Sequence, residues 1–305
     1  MKSKNEKIIS SRKTPSSLVR KANTLNNMFL HMFMEDMTHG FSYDFGSRDS
    51  YNDVFYTTSD KDKLLGKYLS YENYHYLDYD FEKILTSSLY DLIFFGRAYV
   101  ECILLRDDKG DLVGVEFLPI KAKRLLNFFK VSWFAGKNYE KKLSLFHVPN
   151  KHIVSYDLKE LGYKRNHFRK RFRKLKKLDI TGATKLTINP DMKKHFDFSV
   201  YASKKDRDKI TVFSDVGWMG RDFDNKNVSE SYLLYQRAKY LSFKWKMLQY
   251  LLKGINDCVK NFESVLNTSA SITVTSSEQD YFALFDKYAN EEITADELSN
   301  QLFKV

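Results

Sequence analysis

Residues 91–119 read DLIFFGRAYVECILLRDDKGDLVGVEFLP, and the fold of the whole chain turns on how this stretch is punctuated. Upstream and into it, Phe81, Ile84, Leu85, Leu89, Leu92 and Ile93 recur at helical spacing, which places one apolar stripe on a helix. Asp80 is the expected N-cap, because its carboxylate can accept hydrogen bonds from the unpaired first-turn N–H groups. Gly96 is the expected stop, since a left-handed residue closes a helix and glycine adopts that conformation at little cost. Beyond it, AYVECILL and DLVGVEFLP are rich in β-branched, aromatic and aliphatic residues and flank a DDKG turn. Pro119 ends the second run because it has no N–H to offer a ladder. The stretch predicts a helix, a glycine stop and an antiparallel hairpin.

Working outward, residues 18–38 predict a helix with Leu18, Ala22, Leu25, Phe29, Met32 and Phe33 on one side. Residues 40–60 are rich in Tyr, Asp, Ser and Gly and predict a surface loop. LLNFFKVSWF, KLSLFHV and HIVSYDL, within 125–156, predict short strands that extend the hairpin into one small, mostly antiparallel sheet. GWMGRDFDNKN, at 217–227, predicts an aromatic-capped loop. The longest signal begins near Ser229. Leu234, Ala238, Leu241, Trp245, Leu248, Leu252, Ile255, Val259, Phe262 and Leu266 alternate by four and three, and Gly254 does not break the spacing. A helix over 229–266 would be about 57 Å long, a spine through a fold or a strut in an assembly. Two short helices around a turn, the second capped by Thr294, complete an α+β pattern.

The chain has 305 residues, 43% hydrophobic and 29% charged, enough for a substantial core and unlike a disordered composition. Only 12 Gly and 4 Pro are present, so loops should be short. No apolar run approaches the roughly 20 residues of a membrane span, and MKSKNEKIISSRKTPSS lacks the apolar centre of a signal peptide. Cys102 and Cys258 share no motif and suit free thiols in a reducing, intracellular setting. The net charge of +11 is unevenly placed: residues 1–21 carry +6 and residues 164–178, KRNHFRKRFRKLKKL, carry +9, leaving −4 elsewhere. That segregation suggests contact with a polyanion at defined places.

Within the second basic segment, Phe168, Phe172 and Leu175 form an apolar stripe that could dock a helix on its own protein. Lys164, Arg165, Arg169, Lys170, Arg171, Arg173, Lys174, Lys176 and Lys177 are then the candidate nucleic-acid contacts. A solvated or protein-facing helix and a membrane-surface helix are the competing uses. No catalytic constellation stands out. His147 and His152 lack the spacing and the glutamate of a zinc-protease helix. Asp78 with Asp80, and Asp222 with Asp224, make D-x-D pairs that can hold a divalent metal with phosphates, but such pairs are common by chance and Asp80 already has a capping role. Lys67 follows Gly66 without the upstream glycine of a phosphate loop. Asp286, Asn290 and Glu297 have calcium-loop spacing, but Tyr288 and Glu291 occupy positions that need an oxygen ligand and a glycine. The expectation is a protein without catalytic residues, cofactor or metal.

Residues 85–125, LTSSLYDLIFFGRAYVECILLRDDKGDLVGVEFLPIKAKRL, resemble the wing region of tailed-bacteriophage portal proteins, the head–tail connectors. In that family a helix ends in a G-x-A-Y-V-E-like turn, followed by a strand, an acidic-Gly turn and a strand ending near L-x-P. Gly96, Ala98, Tyr99, Val100, Glu101, Gly110, Leu118 and Pro119 match in order. Residues 276–302 are similar to the portal C-terminus, where a G-x-I-T-x-x-E segment follows a helix. Ile293, Thr294 and Glu297 fit, and Asn290 or Glu291 stands where Gly is usual.

The resemblance implies a portal-like α+β fold with a wing, formed by a helix and a small antiparallel sheet, and a long C-terminal spine helix. The segments would be a basic arm and helix at 1–40, the wing at 41–160, a basic helix with a stem- or clip-like region at 161–228, and the spine with short helices at 229–305. It also implies a ring of twelve copies at a capsid vertex, assembled in the host cytoplasm and carried in the virion. Such a ring passes double-stranded DNA, docks the packaging terminase and joins capsid to tail proteins, without catalysis or a membrane partner. Leu241, Trp245, Leu248, Leu252, Ile255 and Val259 would be the spine's core or subunit contact. The alternative is a nucleic-acid-binding replication or regulatory protein using helix 164–178 and the N-terminal arm. A metal-dependent nuclease built on the D-x-D pairs is a third reading.

Overall fold

The computed structural model describes residues 9–15, 28–38, 56–58, 77–138, 140–176, 211–220, 229–262, 272–274 and 280–303. In chain order, the first elements are β1 (Ile9–Ser10), α1 (Met28–Thr38), β2 (Tyr56–Thr58), α2 (Leu77–Phe95), β3 (Arg97–Arg106) and β4 (Leu112–Pro119). Then come β5 (Lys123–Phe128), β6 (Val131–Lys137), β7 (Leu143–Pro149) and β8 (Ile153–Asp157). Residues 167–176 are helical and are called α3. They precede α4 (Glu230–Lys260), β9 (Ile272–Val274), α5 (Tyr281–Ala289) and α6 (Ala295–Phe303).

The helix–glycine–hairpin unit forms as its sequence predicts. Gly96 has φ +75°, its N–H donates to the Leu92 carbonyl at 2.8 Å, and its carbonyl accepts from Leu158 N–H at 3.1 Å. A Cβ here would lie 2.1 Å from the Arg165 carbonyl oxygen, so glycine serves the close chain crossing as well as the turn. In the hairpin, Asp107 Oδ1 accepts from the N–H groups of Lys109 and Asp111 at 2.9 and 2.8 Å, and Gly110 takes φ +86°. Strand β3 then pairs antiparallel with β4 from Val100↔Pro119 to Leu105↔Gly114. On its other side it pairs with β8 near its start and β1 near its end.

Burial on both faces explains why β3 is an almost unbroken apolar run. Its one buried acid, Glu101, is 1% exposed and accepts from the backbone N–H groups of Lys13 and Thr14 at 2.8 and 2.9 Å. A motif glutamate thus tethers residues 9–15 of the basic N-terminal arm to the central strand.

Helix α4 starts where Ser229 Oγ accepts from Tyr232 N–H, and its 31 residues span about 46 Å. Its stripe serves two partners. Leu248, Leu252, Ile255, Val259 and Phe262 enter the principal core with α1, α2, β3 and β8. Leu234, Ala238 and Leu241 instead meet Tyr281, Leu298 and Leu302 of the C-terminal helices, and half-buried Trp245 touches both clusters. At Gly254 a Cβ would lie 2.4 Å from the Tyr156 ring, so this glycine lets the helix settle onto β8. Tyr156, 1% exposed, donates its hydroxyl to the Leu251 carbonyl at 2.6 Å.

An aromatic knot joins the elements. Phe33 of α1 has ring centroids of Phe168, Phe172, Phe213, Trp218 and Tyr240 within 5.2 to 6.5 Å. Trp218 Nε1 donates to Asp36 at 2.9 Å, and Lys244 Nζ to the Asp36 carbonyl at 3.2 Å. Burial, and then the Arg237 charge, push Lys244 down to about 8. The thiols of Cys102 on β3 and Cys258 on α4 are both buried. A hydrogen bond with Cys258 and burial raise Cys102 well above the ordinary thiol value.

Several expectations need correction. Helix α2 begins at Leu77, so Asp80 lies inside it and is not its N-cap. Residues 56–58, inside the expected loop, pair as β2 with β9. The expected single sheet is two, because β5–β6–β7 form their own and β8 joins β3. LLNFFKVSWF contains a turn at Phe129–Lys130 and spans a hairpin rather than one strand. The long helix ends at Lys260. Leu18, Ala22, Leu25, Lys67, Lys177 and Leu266 lie outside the described residues.

Two outcomes check this packing. Gly254→Ala should lower the melting temperature although alanine favours helix by about 1 kcal/mol, because its methyl meets the Tyr156 ring; a rise would refute the close approach. Thiol titration with an aromatic disulfide should find both cysteines unreactive in the native chain and reactive in denaturant. Rapid native reaction would mean that β3 and α4 are not packed together.

Candidate nucleic-acid and assembly surfaces

Helix α3 docks as its apolar stripe predicts: Phe168, Phe172 and Leu175 are fully buried in the aromatic knot. That docking sorts the nine candidate cations. Arg165 Nε donates to both oxygens of Asp157 at 3.0 and 2.9 Å, and Arg97 Nε reaches the same carboxylate at 3.2 Å. Burial raises Asp157, but these bonds and one from the Lys159 backbone outweigh it and hold the carboxyl below its usual value. Arg171 pairs with Asp215, which His167 Nε2 also contacts at 2.8 Å. Here too burial raises the carboxyl and the two bonded partners lower it further. Arg169 lies 5.7 Å over the Phe94 ring, with its Nε buried and unbonded. These three arginines hold the helix in place.

Lys164, Lys170, Arg173 and Lys174 are exposed, and Lys176 is half-buried. Lys170, Arg173 and Lys174 follow at three- and four-residue spacing and form one outward stripe. A polyanion approaching α3 meets these cations, while Arg165, Arg169 and Arg171 face the protein.

A second surface was not anticipated. In the β5–β6–β7 sheet, Ser132, Phe134, Phe146 and Val148 point inward, and Tyr99 and Ile120 complete a small core beneath them. The opposite face is also apolar. Leu126 pairs with Trp133 and Trp133 with His147, while Leu145 pairs with Ala135 and Leu143 with Lys137. With Leu125, Phe128 and Phe129, these large side chains are exposed from 43% at Trp133 to 84% at Phe129. Phe129 and Lys130 form a two-residue turn at φ +46° and +62°, where Asn and Gly are usual. The available signal was apolarity at consecutive positions in FFKVSWF, where a half-buried strand would alternate.

At the C-terminus, Glu291 takes φ +62°, so it holds the left-handed position for which glycine is suited. Thr294 and Glu297 form a reciprocal cap: Glu297 Oε2 accepts from Thr294 N–H at 2.8 Å, and Thr294 Oγ1 accepts from Glu297 N–H at 3.2 Å. His147 lies against Trp133 with the rings tilted at 39° and centroids 5.0 Å apart, whereas His152 Nδ1 lies 2.9 Å from the Cys102 carbonyl oxygen. Among the described residues no group of three or more His, Cys, Asp or Glu is placed to hold a metal. No described helix is long and apolar enough to cross a membrane. The D-x-D side chains lie outside the described residues. Compared with known proteins, the chain matches no family model, and no curated protein sequence is similar to it.

Replacing Lys170, Arg173 and Lys174 by Glu should weaken double-stranded DNA binding alike for all sequences and flatten its salt dependence, because each phosphate contact releases a counterion. The melting temperature should hold. Arg171→Glu should instead lower it, by removing the Asp215 partner. Titrations at two salt concentrations decide: identical curves for parent and triple variant would remove nucleic acid from α3.

Proposed function

We propose that this chain is a portal-like ring subunit, assembled at a capsid vertex in the host cytoplasm and carried in the virion, where it passes double-stranded DNA, contacts terminase and joins head to tail. The observation that carries the reading is the uncovered face of β5–β6–β7. At roughly 200 Å² per fully exposed large side chain, its seven residues present on the order of 800 Å². One partner contributes about that much to a standard protein interface, and exposed apolar patches on monomers are usually smaller. The α4 stripe is not available for this purpose, since Leu241, Leu248, Leu252, Ile255 and Val259 are buried within the chain and Trp245 is half-buried. Subunit contact through those six residues is therefore replaced by contact through the sheet.

Charge favours a head-to-tail arrangement. Residues 123–149 carry six Lys/Arg against Glu140, a net of +5. With +6 in residues 1–21 and +9 in residues 164–178, the rest of the +11 chain carries −9. Two basic-rimmed faces would repel, whereas one set against the acidic remainder of a neighbour is complementary, and head-to-tail contacts generate rings. The helix–glycine–hairpin unit and the capped C-terminal helices lend support, because both stretches that resemble portal proteins take the local shapes expected of that family. Absence of catalysis and of a membrane partner belongs to the same proposal.

The second reading, a nucleic-acid-binding replication or regulatory protein, draws on the outward cations of α3. Solution mass separates the two. The ring reading expects a large closed oligomer by native mass spectrometry and ring-shaped particles by negative stain. Trp133→Glu with Leu145→Glu should reduce it to monomers that keep the parental circular dichroism. A parent that is monomeric at micromolar concentration, or a double variant that still forms rings, would overturn the assignment.

A further inference from the structure

Between the end of α2, the start of β3 and the segment joining β4 to β5 lies a cavity of about 260 Å³. Its floor is buried Ala98, Tyr99 and Ile120, and exposed Phe95 stands at its wall. Four cations line it, Arg97, Lys121, Lys123 and Arg124, against one carboxylate, Asp91. Lys121 Nζ bonds Asp91 at 3.0 Å and also reaches Ser87, so that pair cancels. Arg97 shares Asp157 with Arg165 and keeps 42% of its side chain exposed. Arg124 sits 5.6 Å over the Tyr99 ring, and neither it nor Lys123 has a carboxylate partner among the described residues. A second cavity, of about 380 Å³, shares Arg97, Tyr99 and Arg124 and continues along β5 and β8.

The two chambers therefore meet at a cationic neck, one side apolar and aromatic, the other polar. A phosphate monoester carries about −1.5 to −2 charge at neutral pH, which suits the three cations of the first chamber, Arg97, Lys123 and Arg124, offset from the second by Asp157, itself paired with Arg165, and by Glu160, which accepts from the Tyr250 hydroxyl. Guanidinium groups match its oxygens in paired hydrogen bonds. A carboxylate would leave much of that charge unanswered, and inorganic phosphate would leave the aromatic chamber empty. We propose that this cleft binds a nucleoside monophosphate, with the base beside Phe95 and Tyr99 and the phosphate at Arg97, Lys123 and Arg124. That group could belong to a free mononucleotide or to the 5′-phosphorylated end of a nucleic-acid strand lying in the second chamber. The site lies within one chain and does not depend on ring assembly.

Calorimetric titration of the full chain tests this with the four nucleoside 5′-monophosphates, adenosine, inorganic phosphate, and a short single-stranded oligonucleotide with and without a 5′-phosphate. At least one monophosphate or the phosphorylated strand should bind at least tenfold more tightly than adenosine or phosphate. Arg124→Gln and Lys123→Gln should each weaken it tenfold or more while keeping the parental melting temperature. Tighter binding of the phosphorylated strand than of any mononucleotide identifies a strand end as the source, and the reverse order identifies the free nucleotide. No binding by any of these probes at millimolar concentration, or affinity unchanged in both variants, overturns the proposal. Lys123, exposed on β5, carries the test should Arg124→Gln fail to fold.

Discussion

The backbone of Arg165 passes directly over Gly96, and the presentation of the basic helix depends on that crossing. Any side chain at position 96 would occupy the space of the Arg165 carbonyl. The same glycine ends α2 and accepts a hydrogen bond from Leu158, so helix end, central strand and the segment leading to α3 are joined at one residue. Arg165 then turns its guanidinium onto Asp157, whose backbone N–H donates to the Tyr250 hydroxyl of α4 at 2.9 Å while that hydroxyl donates to Glu160 at 2.8 Å. The basic segment is thereby oriented by contacts outside its own apolar stripe. Its cations divide into those facing the protein and those facing solvent.

That division shows how little net charge alone says about binding. Nine cations in a row read as one polyanion site, yet three of them neutralise carboxylates or cover an aromatic ring inside the fold. Exposed surface pairs contribute little stability, but these pairs are partly buried and lock the helix against β8 and the Asp215 segment. Glu101 does comparable work in the middle of β3: its carboxylate is fully enclosed, and two backbone N–H groups of the N-terminal arm stabilise it. Basic segments are thus anchored by buried Glu101 and half-buried Asp157 and Asp215, which composition counts only as part of the acidic remainder.

Much of the fold was legible because it is written in local chemistry. The φ of Gly96 and Gly110, the Asp107 turn, the start of α4 near Ser229, the Thr294 cap and the α4 stripe each need only neighbours within a few residues. The start of α2 and the Phe129–Lys130 turn are local failures; the larger ones are nonlocal. Whether β8 pairs with β7 or crosses to β3 depends on partners 50 or more residues away, as in Val100↔Val154. Cys102 and Cys258 meet only once α4 lies on the central sheet. Gly254 looked merely tolerated, because what requires it is the ring of Tyr156, nearly a hundred residues upstream. The cleft beside Tyr99 lies wholly within residues 91–124, but its walls are the end of α2, the start of β3 and the chain leading into β5, which only folding sets side by side.

The second sheet carries its own argument about how it meets a partner. Edge strands invite pairing with other chains, and proteins blunt them with lysine and proline. Strand β5 opens with Lys123 and Arg124, while β7 is preceded by Lys141 and Lys142 and ends at Pro149. The turn linking β5 to β6 holds Phe129 at positive φ, where a bulky side chain is disfavoured. Asn150 N–H bonds the Lys130 carbonyl at 2.7 Å and braces that turn. Edges are therefore guarded while the face is left open, the reverse of what solubility alone would require. A surface of this kind disfavours strand addition at its edges and leaves its apolar face open to burial. Covering it would remove the apolar area from water and bring the lysines at its rim into complementary contact.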